Sequence, residues 1–316
     1  MAAVPTAAEA AQFSQLYVFG DSLSDIGNFF AATGNQLPPP QLGYFQGRFT
    51  NGPLWVDYLA PQLGLTSDRQ TNFAFPGATT GVRNTTDPRL PALQQQIAGF
   101  IQAAPQVDPN GLYVVWAGAN DYTRGGGETN PAIPVGNLTS AIQALAGSGA
   151  RNILVPNLPD LGQVPLFQGR GPEEAAAATA LTVGPTGHNV LLSQAVSQLR
   201  SQLGPNVNLT LLDVGALFSD LVSNPSQFGF TNTEDACLFP SPLLSGLPQV
   251  PITICSNPNE YIFWDSLHPS TRTHQILADE AAEVLEATDV PEPGASAALV
   301  LIGALVVSTT VLKQKA

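Results

Sequence analysis

Short apolar stretches alternate with longer stretches of helical pattern along this 316-residue chain, and no other feature restricts its fold as much. Each apolar stretch is closed by Gly, Asn or Pro, which is typical of buried parallel strands. The predicted strands are Leu16–Phe19, Thr71–Phe75, Leu112–Ala117, Asn152–Pro156 and Asn208–Val214. Alternating strands and helices form a parallel sheet with helices on both faces, so we expect an open α/β fold.

The predicted helices lie between these strands and after the last one, and their apolar residues recur at three-and-four spacing. They are Pro53–Leu63, Pro91–Ala103, Ile133–Ala146, one long helix over Glu173–Leu203, and Thr271–Leu285. No internal repeat is present, and we interpret the Pro-rich stretch Gln36–Gly47 as a surface loop rather than a domain linker. A single large domain is therefore expected.

The composition argues against several classes of protein. Hydrophobic residues make up 44% of the chain, which suffices for a sizeable core and disfavours a disordered or fibrous protein. Charged residues are only 11% and the net charge is -13, so we expect no binding to nucleic acid, which attracts lysine and arginine. The only lysines, Lys313 and Lys315, lie at the end of the chain, and a body without lysine favours an exported protein.

Two segments near opposite ends of the chain carry the side chains of a nucleophilic site. Ser22 follows the first predicted strand, in Gly20-Asp21-Ser22-Leu23, while Asp265 precedes His268 by three residues. A serine hydroxyl needs a base to take its proton, and the base needs a group that fixes its tautomer and stabilises its cation. Ser22, His268 and Asp265 are predicted to fill these three roles.

Two further predicted strands end in residues that suit an oxyanion hole. Gly77 follows the second strand and Asn120 follows the third. Functional groups gather at the carboxyl ends of parallel strands, so both should lie near Ser22. The backbone N–H groups of Ser22 and Gly77 and the side-chain amide of Asn120 are predicted to hold a developing oxyanion. Donors of this kind are worth about 3 kcal/mol each in a transition state.

Each of these residues also has a structural interpretation. Ser22 could cap a helix, since serine is favoured at that position. Ser24 is the nearest rival nucleophile. We expect Asp21 and Asp25 to form turns, and Asp121 to support the Asn120 loop. The two histidines other than His268, which are His188 and His274, are expected to pack within helices.

Four sequence blocks follow one another along the chain: Gly20-Asp21-Ser22-Leu23, Pro76-Gly77-Ala78, Gly118-Ala119-Asn120-Asp121 and Asp265-Ser266-Leu267-His268. With these blocks in this order, the chain resembles the SGNH/GDSL-family serine hydrolases from about Phe13 to Leu285. The resemblance implies a three-layer, flavodoxin-like parallel sheet over residues 13–288. It also implies hydrolysis of carboxylic esters through an acyl-enzyme on Ser22, with catalytic residues Ser22, Asp265 and His268, an oxyanion hole of Ser22, Gly77 and Asn120, and no metal or organic cofactor.

Neighbouring stretches fit the branch of that family with lipase-like, haemolysin-like and acyltransferase-like members. They are Ser24-Asp25-Ile26-Gly27-Asn28, Gly47-Arg48-Phe49-Thr50-Asn51-Gly52 and Tyr261-Ile262-Phe263-Trp264-Asp265. The expected substrate is a small-molecule, lipid or acylated-glycan ester. Two alternatives stay open: transfer of the acyl group to an alcohol or glycan acceptor, and a non-catalytic surface or matrix protein on the same scaffold.

Cys237 and Cys255 are the only cysteines and bracket a Pro-rich loop. They could be two buried free thiols, which are common and inert. A disulfide is the preferred prediction, since an exported protein would favour it and a metal site would need further Cys or His ligands nearby.

The two ends of the chain are predicted to direct its export. After Pro291-Glu292-Pro293 comes the uncharged run Ala295–Leu312, whose helical length of ~27 Å is enough to cross a hydrocarbon core. Residues 289–316 resemble the PEP-CTERM sorting signal of exopolysaccharide-producing bacteria, which implies cleavage by an exosortase and transient membrane anchoring. Residues 1–12 resemble the end of a signal peptide, although an Ala-rich leader on a chain that is not exported is the alternative. We expect a location in the cell envelope or extracellular matrix.

Overall fold

A four-stranded parallel sheet forms the centre of the protein. The structure is a computed structural model that describes residues 13–103, 106–123, 125–241 and 251–289. Strands β1 (Leu16–Gly20), β2 (Leu112–Trp116), β3 (Asn152–Pro156) and β4 (Asn208–Leu212) pair in parallel in that order. Four of the five predicted strands and the α/β fold class are thereby confirmed.

The predicted strand Thr71–Phe75 is wrong, because the stretch makes only one isolated bridge, between Asn72 and Val18 of β1. Backbone hydrogen bonds still join the stretch to β1, including those from the Phe73 and Phe75 N–H groups to the carbonyls of Val18 and Gly20. A side chain interrupts the ladder at the Gly20 N–H, which donates to Gln96 Oε1 at 2.9 Å, while Gln96 Nε2 donates to the Gly20 carbonyl at 2.8 Å. Residues 71–75 nevertheless lie beside β1, which gives the spatial order 2-1-3-4-5 of flavodoxin-like sheets.

The helices of the described ranges cover both faces of the sheet. They are α1 (Asn28–Ala32), α2 (Trp55–Gln62), α3 (Leu93–Ala103), α4 (Ala119–Tyr122), α5 (Ala132–Ser148), α6 (Pro165–Gln168), α7 (Pro172–Thr182), α8 (His188–Leu203), α9 (Val214–Ser223), α10 (Pro225–Phe228) and α11 (Thr271–Asp289). Two small sheets lie between α10 and α11. The first pairs β5 (Asn232–Ala236) with β8 (Tyr261–Phe263), and the second pairs β6 (Leu238–Phe239) with β7 (Thr253–Ile254).

The single long helix predicted over Glu173–Leu203 is wrong. It is two helices, α7 and α8, separated by residues 183–187. Pro185 lacks the N–H that would continue α7, and Gly184 and Gly187 are poor helix formers. The other four predicted helices are confirmed as α2, α3, α5 and α11, with ends that differ by a few residues.

Side chains alternate between the two faces of each strand, so the sheet has a core on each side. Val18 and Val114 face a core completed by Trp55 of α2 and by Leu277 of α11. The neighbouring strand residues face the other core, which α3, α5 and α8 complete; its largest members include Phe19, Tyr113, Ile97, Ile142 and Val196. The result is the three-layer arrangement that the resemblance implies.

Cys237 and Cys255 form a disulfide, with sulfurs 1.95 Å apart and Cα atoms 4.8 Å apart. It lies at the base of the β6–β7 pair, where the Cys255 N–H also donates to the Cys237 carbonyl at 2.8 Å. The free-thiol alternative is therefore wrong for this structure.

Both predicted export segments, residues 1–12 and the sorting signal beyond α11, lie outside the described residues and stay predictions. Within the described ranges, no helix combines the length and the apolar character needed to cross a membrane.

Replacing Gln96 with Leu should lower the free energy of unfolding by about 1–3 kcal/mol, because the buried Gly20 N–H would lose its partner. Gln96 is 4% exposed. Urea denaturation measures the change, and Gln102→Leu, at an exposed position on the same helix, is the matched control. Equal stabilities of the two variants would contradict a stabilising role for the Gln96–Gly20 hydrogen bonds.

Candidate active site

Ser22 lies in the tight turn that follows β1. The N–H groups of Ser24 and Asp25 both donate to the Asp21 carbonyl at 3.1 Å, which closes the turn around Ser22. Gly20 is required just before it, since a Cβ there would run into the Trp116 carbonyl of β2. The turn leaves Ser22 at the carboxyl end of the sheet, 5% exposed.

Asp265 and His268 share one turn between β8 and α11. The Trp264 N–H donates to the His268 carbonyl at 2.8 Å. Oδ1 of Asp265 accepts the backbone N–H groups of Leu267 and His268, each at 2.8 Å. Since α11 begins at Thr271, His268 lies at a loop–helix junction, as its position before Pro269 predicts.

The two turns meet at the edge of the sheet. Ser22 Oγ lies 2.9 Å from His268 Nε2, across 246 residues of sequence. His268 Nδ1 lies 2.9 Å from each carboxylate oxygen of Asp265. Because Nδ1 faces a carboxylate, it carries the ring proton, and Nε2 is left to accept from the Ser22 hydroxyl. The structure thus brings together the three residues predicted as catalytic.

A fourth residue, Tyr44, completes this chain of hydrogen bonds and was missed by sequence reasoning. Its hydroxyl donates to Asp265 Oδ2 at 2.6 Å. Tyr44 is 2% exposed, so the interpretation of Gln36–Gly47 as a surface loop is wrong at this position. Nothing local in a Pro-rich loop indicates such a contact. Burial and the nearby Asp265 charge both raise the pKa of Tyr44, which keeps its hydroxyl a donor.

The Asp265 carboxylate stays charged although it is fully buried. Burial on its own raises the pKa of a carboxyl group. Here the charge of His268 and the hydrogen bonds from His268, Tyr44 and the Leu267 N–H outweigh it and lower the pKa of Asp265. A fixed negative charge beside Nδ1 stabilises the imidazolium that forms when His268 takes a proton.

The predicted oxyanion donors lie at the neighbouring strand ends. Asn120, in α4, directs Nδ2 to Asp21 Oδ2 and to the Ala78 carbonyl, both at 3.2 Å. Gly77 adopts a left-handed φ of 73°, and a Cβ there would collide with Thr86. No described residue accepts a hydrogen bond from the Ser22 or Gly77 N–H. The Ser22 amide, whose residue also lines the active-site cleft, is therefore free to receive a substrate oxygen.

Ser22, Asn120 and His268 line one narrow cleft of about 30 Å³. Gly77 does not line it and connects to it only through the neighbouring Ala78 carbonyl. The rest of the cleft wall is mostly apolar, and its larger side chains are Leu23, Trp116, Leu161, Val164, Phe218, Phe263 and Leu267.

The structural interpretation of Ser22 as a helix cap is wrong, because the nearest helix, α1, begins at Asn28. Gly27 is the N-cap of that helix, and the Asp25 carboxylate accepts the N–H groups of Gly27, Asn28 and Phe29. Ser24 is buried, and its Oγ accepts the Trp55 indole N–H at 3.1 Å, away from His268.

Asp121 supports the Asn120 loop, as predicted. Its carboxylate accepts the Thr80 N–H at 2.9 Å and the Thr80 hydroxyl at 2.8 Å. These bonds join the loop after residues 71–75 to α4, so the segments that carry Gly77 and Asn120 are held together.

The other two histidines are buried away from Ser22. His188 Nδ1 pairs with the Tyr122 hydroxyl at 2.9 Å, and burial lowers the pKa of His188 to about 4. Burial also lowers the pKa of His274 to about 3, with a further contribution from the charge of His268. Both rings are neutral at physiological pH. In the described part of the chain, no group of three or more His, Cys, Asp or Glu side chains is placed to hold a metal ion.

A family model described as GDSL-like lipase/acylhydrolase matches residues 16–281, which is most of the chain. The chain belongs to this family. A phosphatidylcholine-sterol acyltransferase of Aeromonas hydrophila is 30% identical, over 87% of this chain and 90% of that protein. A thermolabile hemolysin of Vibrio parahaemolyticus is 29% identical, over 86% of this chain and 64% of that protein. An Arabidopsis thaliana GDSL esterase/lipase is 28% identical, over 84% and 87%.

Among solved structures, an aryl esterase of M. smegmatis aligns with 86% of this GDSL-like chain and 98% of its own, at 17% identity and a TM-score of 0.48.

Replacing Tyr44 with Phe should lower kcat about 10- to 100-fold with little change in KM, because a hydrogen bond to a buried charge is worth about 1.5–3 kcal/mol. Hydrolysis of p-nitrophenyl acetate measures the effect. Tyr58→Phe is the control, since its hydroxyl pairs with Thr271 at 2.9 Å rather than with Asp265. An equal loss in both variants would show that Tyr44 has no special role.

Proposed function

We propose that the protein hydrolyses carboxylic esters through an acyl-enzyme on Ser22. One observation carries the proposal: an unbroken line of hydrogen bonds from Ser22 Oγ through His268 to Asp265, each step 2.9 Å long. This is the geometry of a nucleophile, a general base and the group that orients the base. Membership of a family described as lipases and acylhydrolases supports it.

In the first half-reaction, Ser22 Oγ attacks the ester carbonyl carbon while its proton moves to His268 Nε2. We assign the oxyanion that forms to the Ser22 N–H and Asn120 Nδ2, the two predicted donors whose residues line the cleft. The two hydrogen bonds that Asn120 makes now are long, at 3.2 Å, so turning one of them to the oxyanion costs little. His268 then gives its proton to the leaving alcohol, and the acyl group stays on Ser22.

In the second half-reaction, water replaces the alcohol. His268 Nε2 takes a proton from the water as its oxygen attacks the acyl carbonyl, and the same donors hold the second oxyanion. Collapse of the intermediate breaks the bond to Ser22 Oγ, which recovers its proton from His268. The products are the free acid and the original enzyme.

Ser22→Ala should lower the kcat for p-nitrophenyl acetate by about four orders of magnitude or more, because the covalent route is lost. Ser24→Ala, two residues away and paired with Trp55 instead of His268, should keep nearly full activity. Retained turnover in Ser22→Ala would overturn the proposal.

The same variants test the alternative that the protein is a non-catalytic scaffold. A fluorophosphonate probe should label the wild-type protein and Ser24→Ala but not Ser22→Ala. Absence of labelling in the folded wild-type protein would favour the scaffold interpretation.

Acyl transfer is a second candidate function. The 30% identical relative from A. hydrophila is described as an acyltransferase. Transfer needs no new residue here, since an alcohol can take the place of water before His268 in the second half-reaction.

Product analysis separates the two activities. With p-nitrophenyl acetate as donor and 1-butanol as acceptor, a transferase should form butyl acetate in excess of the acceptor's share of the solvent. A hydrolase should form acetic acid alone, and that result would exclude transfer to this acceptor.

A further inference from the structure

A second and larger cavity lies next to the active-site cleft. Its volume is about 270 Å³, against about 30 Å³ for the cleft that contains Ser22. Phe218 and Phe263 line both spaces, so we assign these two residues to the partition between them. The cavity is also lined by the apolar Val183 and Val222 and by the polar Asn189 and Asp213.

The partition is part of the core. Phe218, on α9, is 6% exposed, and Phe263, at the end of β8, is 2% exposed. Their ring centroids are 6.5 Å apart at an interplanar angle of 47°. Both rings belong to the core on the α2 and α11 side of the sheet, and closely packed side chains leave little room to move. The barrier is therefore built into the fold.

The space on the Ser22 side suits the acyl part of an ester. The acyl group stays bonded to Ser22 between the two half-reactions, whereas the alcohol leaves, so we assign the cleft beside Ser22 to the acyl group. Trp116, Leu161 and Val164 are among the apolar residues that line this cleft. A volume of about 30 Å³ has room for about two groups the size of a water molecule.

We propose that Phe218 sets the acyl specificity of the enzyme: acetyl-length groups fit between Ser22 and its ring, and longer chains are blocked from the second cavity. The inference rests on the proposed ester hydrolysis and names its substrate class as short-chain acyl esters. Phe218 is the determinant that can be varied, because Phe263 precedes Asp265 by two residues and its change would move the catalytic turn.

The experiment compares kcat/KM for p-nitrophenyl acetate, butyrate and octanoate, which share one leaving group. The wild-type protein should favour acetate over octanoate by at least about tenfold. Phe218→Leu and Phe218→Ala should raise the octanoate-to-acetate ratio at least tenfold, more for Ala than for Leu, because they open the second cavity. Phe230→Leu, a buried phenylalanine of the same core that lines neither space, should keep the wild-type ratio.

Circular dichroism tests whether each variant is folded. If Phe218→Ala does not fold, the result for Phe218→Leu decides. An unchanged chain-length profile in folded Phe218 variants would overturn the inference and leave ester hydrolysis intact. A second result would also overturn the inference. If the Phe218 variants changed the preference between phenyl acetate and naphthyl acetate, the cleft would hold the leaving group instead of the acyl group. A folded wild-type protein that hydrolyses none of the esters would overturn the proposed function and the inference with it.

Discussion

The charge of Asp265 is the constraint on which the rest of the site depends. A carboxylate at 0% exposure is stable only if its oxygens are fully hydrogen-bonded, because burying an unpaired charge is very costly. Donors come from its own turn, from the His268 ring and from Tyr44, which is 221 residues away in sequence. Tyr44 is in turn held in a small core with Trp264, Leu238 and the Cys237 end of the disulfide. One buried charge thus ties an early loop and the β6–β7 pair to the proposed catalytic turn.

The side-chain amide of Asn120, one of the proposed oxyanion donors, is hydrogen-bonded within the protein. Asn120 donates to the Asp21 carboxylate, beside Ser22, and to a backbone carbonyl, instead of leaving a buried amide without partners. Burial raises the pKa of Asp21 to about 6, despite hydrogen bonds from the Leu23 N–H and Asn120. An oxyanion would compete with Asp21 for the same N–H group. The site is therefore arranged in advance of the substrate, and the cost of rearranging one side chain is small.

The sequence predicted those parts of the fold and site that have local signals. Ser22, Asp265 and His268 follow strands within short motifs, and the structure places them in contact. Residues 71–75 failed as a strand because Gln96, 76 positions beyond Gly20, accepts the Gly20 N–H that would continue the pairing. Tyr44 was missed for the same reason, since its partner is fixed only by tertiary packing. The break between α7 and α8 did have a local signal, Gly184-Pro185, which the apolar periodicity outweighed in the prediction.

The sequence separation of 246 positions between Ser22 and His268 has a consequence for how the protein is made. Translation produces the proposed nucleophile long before the proposed base. A nascent or truncated chain that ends before the turn preceding α11 lacks both that base and the carboxylate that orients it. The proposed ester chemistry therefore requires a chain synthesised through the turn that carries His268.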